Sequence, residues 1–357
     1  MNVLSLFDGM SCGQIALKEL NIFIDTYYAS EIDKFAIAQT QLNFPNTIQI
    51  GDVKKVNVLD LQPIDLLIGG SPCTNLSFAG TRKGLCTKEN IEIVSLEQYL
   101  ELKEQGFEFE GQSYLFWEYM RILTEIREYN PNVLFLLENV EMGKKWESVF
   151  NKAIGTQGIH INSSLVSAQN RRRIYWTNID GGNISQPKDK GLFLRDILED
   201  EVDEHFFLSE KALKGIELHK ERNKEKKNGF GADIRKPSDK SQTIRVGGKG
   251  VYDLVSIPSR KVIQLNKTNE FGKQPRQQNS IYDPQGISPA VLTNMSCGSH
   301  AVLDNFCIRR LTPTECARLQ TIPKWYKWQC SNTQQYKMLG NGWTVEVIKH
   351  IFGYMIE

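Results

Sequence analysis

Met1-Asn2-Val3-Leu4-Ser5-Leu6-Phe7-Asp8-Gly9-Met10-Ser11-Cys12-Gly13 opens the chain. Val3–Phe7 is a short apolar run and Gln14–Leu20 continues with helical spacing, so Gly9 and Gly13 fall where a first strand hands over to a helix. The pattern then repeats. Asp25–Ser30 and Ile64–Ile68 read as further strands, with a helix over Lys34–Asn43 between them that Pro45 ends. Tyr114–Tyr129 spaces its apolar residues by three and four, Pro131 breaks it, and Val133–Leu137 is an unbroken apolar run suited to the centre of a parallel sheet, where helices cover both faces. The expected fold class is α/β, a doubly wound sheet.

Past Gly181 the character changes. Gly, Pro, Lys and Asn become frequent and periodicity weakens, until Thr344–Met355 returns to helical spacing. Two domains are expected: residues 1–180 with 334–357 as the sheet domain, and 181–333 as a smaller, mostly β domain. In the second, Lys240–Gly248 and Ile287–Gly298 each run from β-branched residues into a Gly-bearing loop, which suits paired strands with protruding polar loops. Gly80–Ser113 is a long excursion after a strand end, with seven glutamates against one lysine over Glu89–Glu110, and reads as a mobile lid or loop.

Composition narrows the class further. With 40% hydrophobic and 24% charged residues in 357, the chain is neither disordered nor a disulfide mini-protein. No apolar run reaches the roughly 18–20 residues of a membrane helix, and the N-terminus has no basic leader, so a cytoplasmic protein is expected. The seven cysteines are scattered, without a C-x-x-C pair, which argues against a disulfide framework and against a metal site. The overall balance of 43 basic and 42 acidic groups conceals a segment, 205–280, with 17 basic against 8 acidic residues. That segment is a candidate polyanion-binding module.

The carboxyl ends of the strands carry the chemistry. Glu31 closes the second strand, 18 residues beyond Gly13, where a carboxylate can accept from ribose hydroxyls, and Asp52 beside Val53 can meet an adenine amino group. The missing G-x-G-x-x-G argues against a pyrophosphate and for S-adenosylmethionine. Ile64–Ile68 runs into Gly69-Gly70-Ser71-Pro72-Cys73, a cysteine on a stiffened loop, and Val133–Leu137 delivers Glu138-Asn139-Val140 to the same edge. Gln169–Trp176 reads as a strand whose period of two puts Gln169, Arg171 and Arg173 on one face. Cationic neighbours of that kind ready a thiol as a nucleophile.

Phe7-Asp8-Gly9, Gly70-Ser71-Pro72-Cys73, Glu138-Asn139-Val140, Gln169-x-Arg171-x-Arg173, Arg310–Gln320 and Leu339-Gly340-Asn341-Gly342 stand in the order found in DNA (cytosine-5) methyltransferases, which the chain resembles over residues 7–345. Gly70–Cys73, Leu115–Glu118 and Gly342–Val345 are similar to the animal de novo branch, whereas the common bacterial pattern has Phe before Pro-Cys and Ser after Gly-Asn. The resemblance implies a Rossmann-like S-adenosylmethionine-dependent domain with a target-recognition domain, acting on duplex DNA. It implies Cys73 as the nucleophile toward carbon 6 of a flipped-out cytosine, Glu138 at ring nitrogen 3, Arg173 at the carbonyl oxygen and Arg171 supporting the Cys73 loop. Asn139 is expected to fix the Pro-Cys loop. Cofactor contacts carried over are Phe7, Asp8, Gly9, Met10, Gly13, Glu31, Asp52, Val53, Pro72, Asn341 and Trp343. The Gly80–Ser113 excursion would close over the flipped base, and loops of 205–280 and Leu292–Gly298 would enter the major groove. A monomer on double-stranded DNA, bacterial or phage-encoded, is implied, with a cognate restriction endonuclease as the further partner and S-adenosylhomocysteine as the product. Two alternatives are a tRNA cytosine-5 methyltransferase, whose Cys-Phe-Thr signature is missing, and an inactive DNA-binding relative, against which the intact Cys73, Glu138, Arg171 and Arg173 argue.

Overall fold

A computed structural model describes residues 1–73, 76, 84–225, 233–244, 253–258, 281–282, 301–302 and 306–356. The chain divides into two compact units, one of Met1–Ile197, Lys240–Lys249 and Pro313–Glu357, the other of Leu198–Asp239 and Gly250–Thr312.

In chain order the first unit begins β1 (Asn2–Leu6), α1 (Cys12–Glu19), β2 (Thr26–Ser30), α2 (Lys34–Asn43), β3 (Ile48–Gln49) and β4 (Leu66–Gly70). It continues α3 (Leu96–Glu104), α4 (Phe116–Tyr129), β5 (Leu134–Val140), α5 (Lys144–Ile154), β6 (Ile159–Asn162) and β7 (Arg172–Thr177). One seven-stranded sheet results, in the order β3-β2-β1-β4-β5-β7-β6. β3 to β5 are parallel, whereas β7 runs antiparallel to both β5 and β6. The apolar runs behave as their composition requires: Val3, Leu4, Leu66, Leu67, Ile68, Leu136 and Leu137 are fully buried. The strand order reverses between β1 and β4, which is the crevice where sheets of this kind bind ligands.

Three local devices hold this frame. Gly13 has no room for a side chain, since a Cβ there would lie 2.3 Å from Ile68 Cδ1, so glycine lets α1 settle onto β4. On the opposite face, Phe116 of α4 stacks on Phe150 of α5 with ring centroids 3.7 Å apart. The chain's last helices belong to the same unit and are numbered after those of the second: α7 (Pro313–Leu319), α8 (Asn332–Asn341) and α9 (Val345–Gly353), the last of which packs along α1.

The described part of the acidic excursion is packed, with Leu85, Ile93 and Tyr99 buried and short bridges joining Cys86 to Glu92 and Thr87 to Phe109. The cause is a fully buried carboxylate. Glu118 of α4 accepts from Tyr99 and Lys103 of α3 and from Arg121, and Arg121 in turn donates to the Val53 and Val56 carbonyls at 3.3 and 3.1 Å. Burial pushes the Glu118 carboxyl up, but the bonds from Lys103, Tyr99 and Arg121 outweigh it and leave the group below its ordinary range. Residues 77–83 lie outside the described residues.

The second unit has α6 (Glu210–Glu225), β8 (Asp233–Arg235), β9 (Asp253–Pro258), β10 (Ile281–Tyr282), β11 (Ala301–Val302) and β12 (Phe306–Arg310). β12 pairs antiparallel with β9, β9 parallel with β8, and β10 parallel with β11. The Gly-bearing loops expected near Gly248 and over Leu292–Gly298 lie outside the described residues.

Candidate active site

The turn after β1 is strained: Phe7 and Ser11 both take left-handed backbone angles, with φ of 58° and 64°, around a left-handed Gly9. Glu31, at the end of β2, stabilises that shape. Its Oε2 accepts the Gly9 amide at 2.8 Å, and its Oε1 accepts the amides of Ile32 and Asp33 at 2.7 and 2.8 Å. Asp8 sits between the strained residues, half-buried. Its Oδ1 accepts from Tyr27 at 2.9 Å and Ser11 at 3.2 Å, while its Oδ2 is buried without a partner. Burial drives the Asp8 carboxyl up from 3.8 to about 6, against the bonds from Ser5, Tyr27 and Ser11. A buried, half-satisfied carboxylate is an acceptor prepared for a cationic or N–H donor.

Other expected cofactor residues fall into two groups. Asp52 caps a one-turn helix, accepting the Lys54 amide at 3.0 Å, with the buried Val53 beside it on the segment that Arg121 holds. Met10 is buried, its carbonyl accepting from Tyr326 at 2.9 Å, and Gly13 lies in the first turn of α1, where a Cβ would crowd Ile68. Asn341 ends α8, exposed, and Pro72 is half-buried before Cys73.

β4 and β5 place the chemical groups side by side, because their register pairs Gly70 with Glu138. Asn139 donates to the Ser71 hydroxyl at 2.9 Å and carbonyl at 3.2 Å, pinning the Ser-Pro-Cys loop as the sequence suggested. Glu138 is nearly buried; its Oε1 is ion-paired with Arg173 Nε at 2.8 Å and its Oε2 accepts the Trp343 indole N–H at 3.0 Å. Cys73 lies within the field of these groups. Burial and then the Glu138 charge push its thiol up, and Arg173 and Arg171 pull it partway down.

Arg171 lies just before β7, its amide donating to the Asn162 side chain and its carbonyl accepting from Ser163, within the electrostatic reach of Cys73, Glu138 and Arg173. The Arg171 guanidinium turns inward and donates to the Gly342 carbonyl at 2.9 Å and the Gly340 carbonyl at 3.3 Å. Burial, with repulsion from Arg173, lowers it from 12.5 to about 9. It therefore holds the Gly340–Gly342 segment from the far end of the chain, while its charge reaches Cys73.

Gln320 clamps the same segment, donating to Leu339 at 2.6 Å and Gly342 at 3.2 Å and accepting from Thr344 at 2.9 Å. It closes the Arg310–Gln320 motif, so its position was visible in the sequence and its task was not. Tyr27, Ser71 and Arg121 were also missed, since each acts through a contact distant in sequence. Among the described residues no group of His, Cys, Asp and Glu is arranged to hold a metal, and no helix is long and apolar enough to cross a membrane.

A family model described as C-5 cytosine-specific DNA methylase matches residues 1–357. The chain is 27% identical over 376 residues to the type II methyltransferase M.Bsp6I of Bacillus sp. (strain RFL6), covering 98% of this chain and 97% of that protein. It is 26% identical over 443 residues to the orphan methyltransferase M.SPBetaI of Bacillus phage SPbeta, covering 100% and 98%. Among solved structures, the S. pombe Dnmt2 methyltransferase superposes with a TM-score of 0.62 at 15% identity, over 100% of this chain and 98% of that one. The Entamoeba histolytica methyltransferase EhMeth gives 0.64 at 14% identity with the same coverage. These structures share the fold.

Proposed function

Because the chain belongs to the C-5 cytosine-specific DNA methylase family over its whole length, we propose that Cys73, Glu138, Arg173 and Arg171 are the residues with which it methylates carbon 5 of cytosine in DNA. The enzyme is a DNA (cytosine-5-)-methyltransferase, and its family and fold use S-adenosylmethionine. The observation that carries the site reading is the convergence of Cys73, Glu138 and Arg173 at adjoining strand ends, with Glu138 and Arg173 ion-paired at 2.8 Å.

Carbon 5 of cytosine is a poor nucleophile until something adds at carbon 6. The Cys73 thiolate adds there, and the electron pair moves onto carbon 5 as an enamine. Glu138 holds ring nitrogen 3 through a hydrogen bond or proton, and Arg173 stabilises the negative charge on the carbonyl oxygen. S-adenosylmethionine supplies, when bound, the electrophilic methyl group, and S-adenosylhomocysteine is the product. Loss of the carbon 5 proton then restores the double bond and expels Cys73. In the free protein the Glu138 charge opposes ionisation of Cys73. A base that engages Glu138 relieves this opposition, so the thiolate forms when substrate is present. The ring must leave the duplex first, at a cost of a few kcal/mol.

The residues fit that cofactor. Asp8, with its unpartnered buried oxygen, suits the ammonium of the methionine part, beside the Phe7–Met10 turn. Glu31 would receive the ribose hydroxyls with its remaining lone pairs, and Asp52 and Val53 the adenine, with Pro72, Asn341 and Trp343 completing the enclosure. The second unit, with loops of the basic 205–280 segment, would read the target and bind phosphates.

The name of the M.Bsp6I relative places that protein among type II methyltransferases, which supports a restriction–modification setting here and a cognate endonuclease as partner. A monomer on DNA suffices, since one chain carries all the groups invoked. Labelled S-adenosylmethionine offered with duplex DNA, with tRNA and with neither is the test. Label in DNA as 5-methylcytosine is expected, label in tRNA alone would move the substrate to RNA, and label in neither would make the chain an inactive relative.

A further inference from the structure

Trp343 was expected only at the cofactor, yet its indole N–H reaches Glu138. The ring lies between two glycines. A Cβ at Gly13 would stand 3.5 Å from Trp343 Cζ3, and one at Gly70 would stand 2.8 Å from Trp343 Nε1 and 3.0 Å from Glu138 Oε2. Both glycines thus leave the space through which the indole points at the carboxylate. The backbone around the tryptophan is fixed from several sides: Arg171 and Gln320 hold the Gly342 carbonyl, Thr344 bonds Gln320 and Ser163, and the Trp343 amide faces the Cys12 sulfur. A donor held this firmly costs little entropy when it bonds.

We propose that Trp343 is a positioning residue for the base-binding carboxylate, its indole N–H and the Arg173 guanidinium together fixing the plane of Glu138 for the cytosine edge. Each Glu138 oxygen has one partner from the protein, the Arg173 charge at Oε1 and the Trp343 N–H at Oε2, and keeps a lone pair for the proton shared with ring nitrogen 3. Without the indole, Oε2 is free to turn, and the carboxylate meets ring nitrogen 3 in a productive pose less often. The contact also joins the two halves of the site. The same ring touches Gly13 at the head of α1, next to the cofactor turn, and Glu138 at the end of β5. This inference rests on the site reading above, in which Glu138 binds the base.

Trp343→Phe is the decisive variant, because phenylalanine keeps an aromatic ring against Gly13 and removes the N–H. Steady-state methylation of duplex DNA by the full chain should show kcat reduced about 10-fold, the size of one lost hydrogen bond to a charged group, with KM for S-adenosylmethionine within about twofold of wild type. Glu138→Gln, assayed in parallel, should lose far more activity. In 15N-tryptophan-labelled protein, which carries six tryptophans, Glu138→Gln should shift the indole resonance that Trp343→Phe removes. Unchanged kcat in Trp343→Phe beside an inactive Glu138→Gln would overturn the role of Trp343 alone, as would a raised KM for S-adenosylmethionine with unchanged kcat. An indole resonance unmoved by Glu138→Gln would do the same. Full activity in Glu138→Gln would overturn the site reading and the inference with it.

Discussion

Asp8→Asn should raise the pH 7 stability of the free protein relative to its stability at pH 5, and the size follows from the burial of one carboxyl. The folded protein holds the Asp8 proton up to about pH 6, while the unfolded chain releases it near 3.8. Between those values the folded state binds more protons than the unfolded one, so stability falls as pH rises. The full penalty, reached above pH 6, is about 3 kcal/mol from a shift of roughly two units at 1.36 kcal/mol each. Asparagine has no such titration. Its Oδ1 still accepts from Tyr27 and Ser11, and its amide replaces the unpartnered Oδ2 with an unsatisfied donor whose cost does not vary with pH. The stability gap, variant minus wild type, should therefore widen by about 1.3 kcal/mol between pH 5 and 7. Every other titrating group is common to both proteins and cancels. Urea unfolding at pH 5, 6 and 7 without cofactor measures the gap directly. A gap that stays flat, or narrows as pH rises, would refute the reasoning. The functional cost should appear as S-adenosylmethionine binding weakened about 10-fold or more, since a charge-assisted bond is lost.

The close approach at Gly13 makes a second case: Gly13→Ala should destabilise by about 1–3 kcal/mol through overpacking on Ile68, and adding Ile68→Val, which removes the crowded methyl, should recover much of it in thermal unfolding. Arg171→Met takes the Arg171 donor from the Gly340 carbonyl and leaves Gly342 only the longer bond from Gln320, so a loss of about 1–3 kcal/mol in stability is expected, accompanied by weaker cofactor binding in calorimetry. Exchanging Lys211 and Lys214 of α6 for glutamine should flatten the dependence of DNA affinity on salt, by about 0.9 in log–log slope for each phosphate contact removed. Exchanging Glu97 and Glu101 in α3 should leave that slope unchanged.

Much of this fold was legible because its elements are punctuated. Asp33 and Pro45 bracket α2, and Pro131 separates α4 from the apolar strand β5, so local chemistry alone defines their ends. α5 went unread although Trp146, Phe150 and Ile154 recur at every fourth position, the signature of a buried face. β3, two residues long, gives no periodic signal at all. The meeting of Cys73, Glu138 and Arg173 was legible because each follows or occupies a strand, and strand ends share one edge. The bonds of Arg171 to the Gly340 and Gly342 carbonyls were illegible because they join segments far apart in the sequence. The anchoring of the excursion was illegible because charge along a sequence does not reveal one buried glutamate on another helix that ties it down. Trp343 lies 205 residues from Glu138, and nothing near either residue in the sequence tells which way an indole will point.

Covalent capture on DNA tests the central claim most directly. A duplex with 5-fluorocytosine in the target sequence lets the Cys73 adduct form and accept the methyl group but blocks loss of the group at carbon 5, so the protein stays attached. With S-adenosylmethionine the wild-type chain should form a denaturation-resistant protein–DNA complex whose tryptic map places the attachment at Cys73, and Cys73→Ser should form none. A complex that persists in Cys73→Ser, or an attachment mapped to another residue, would contradict the account.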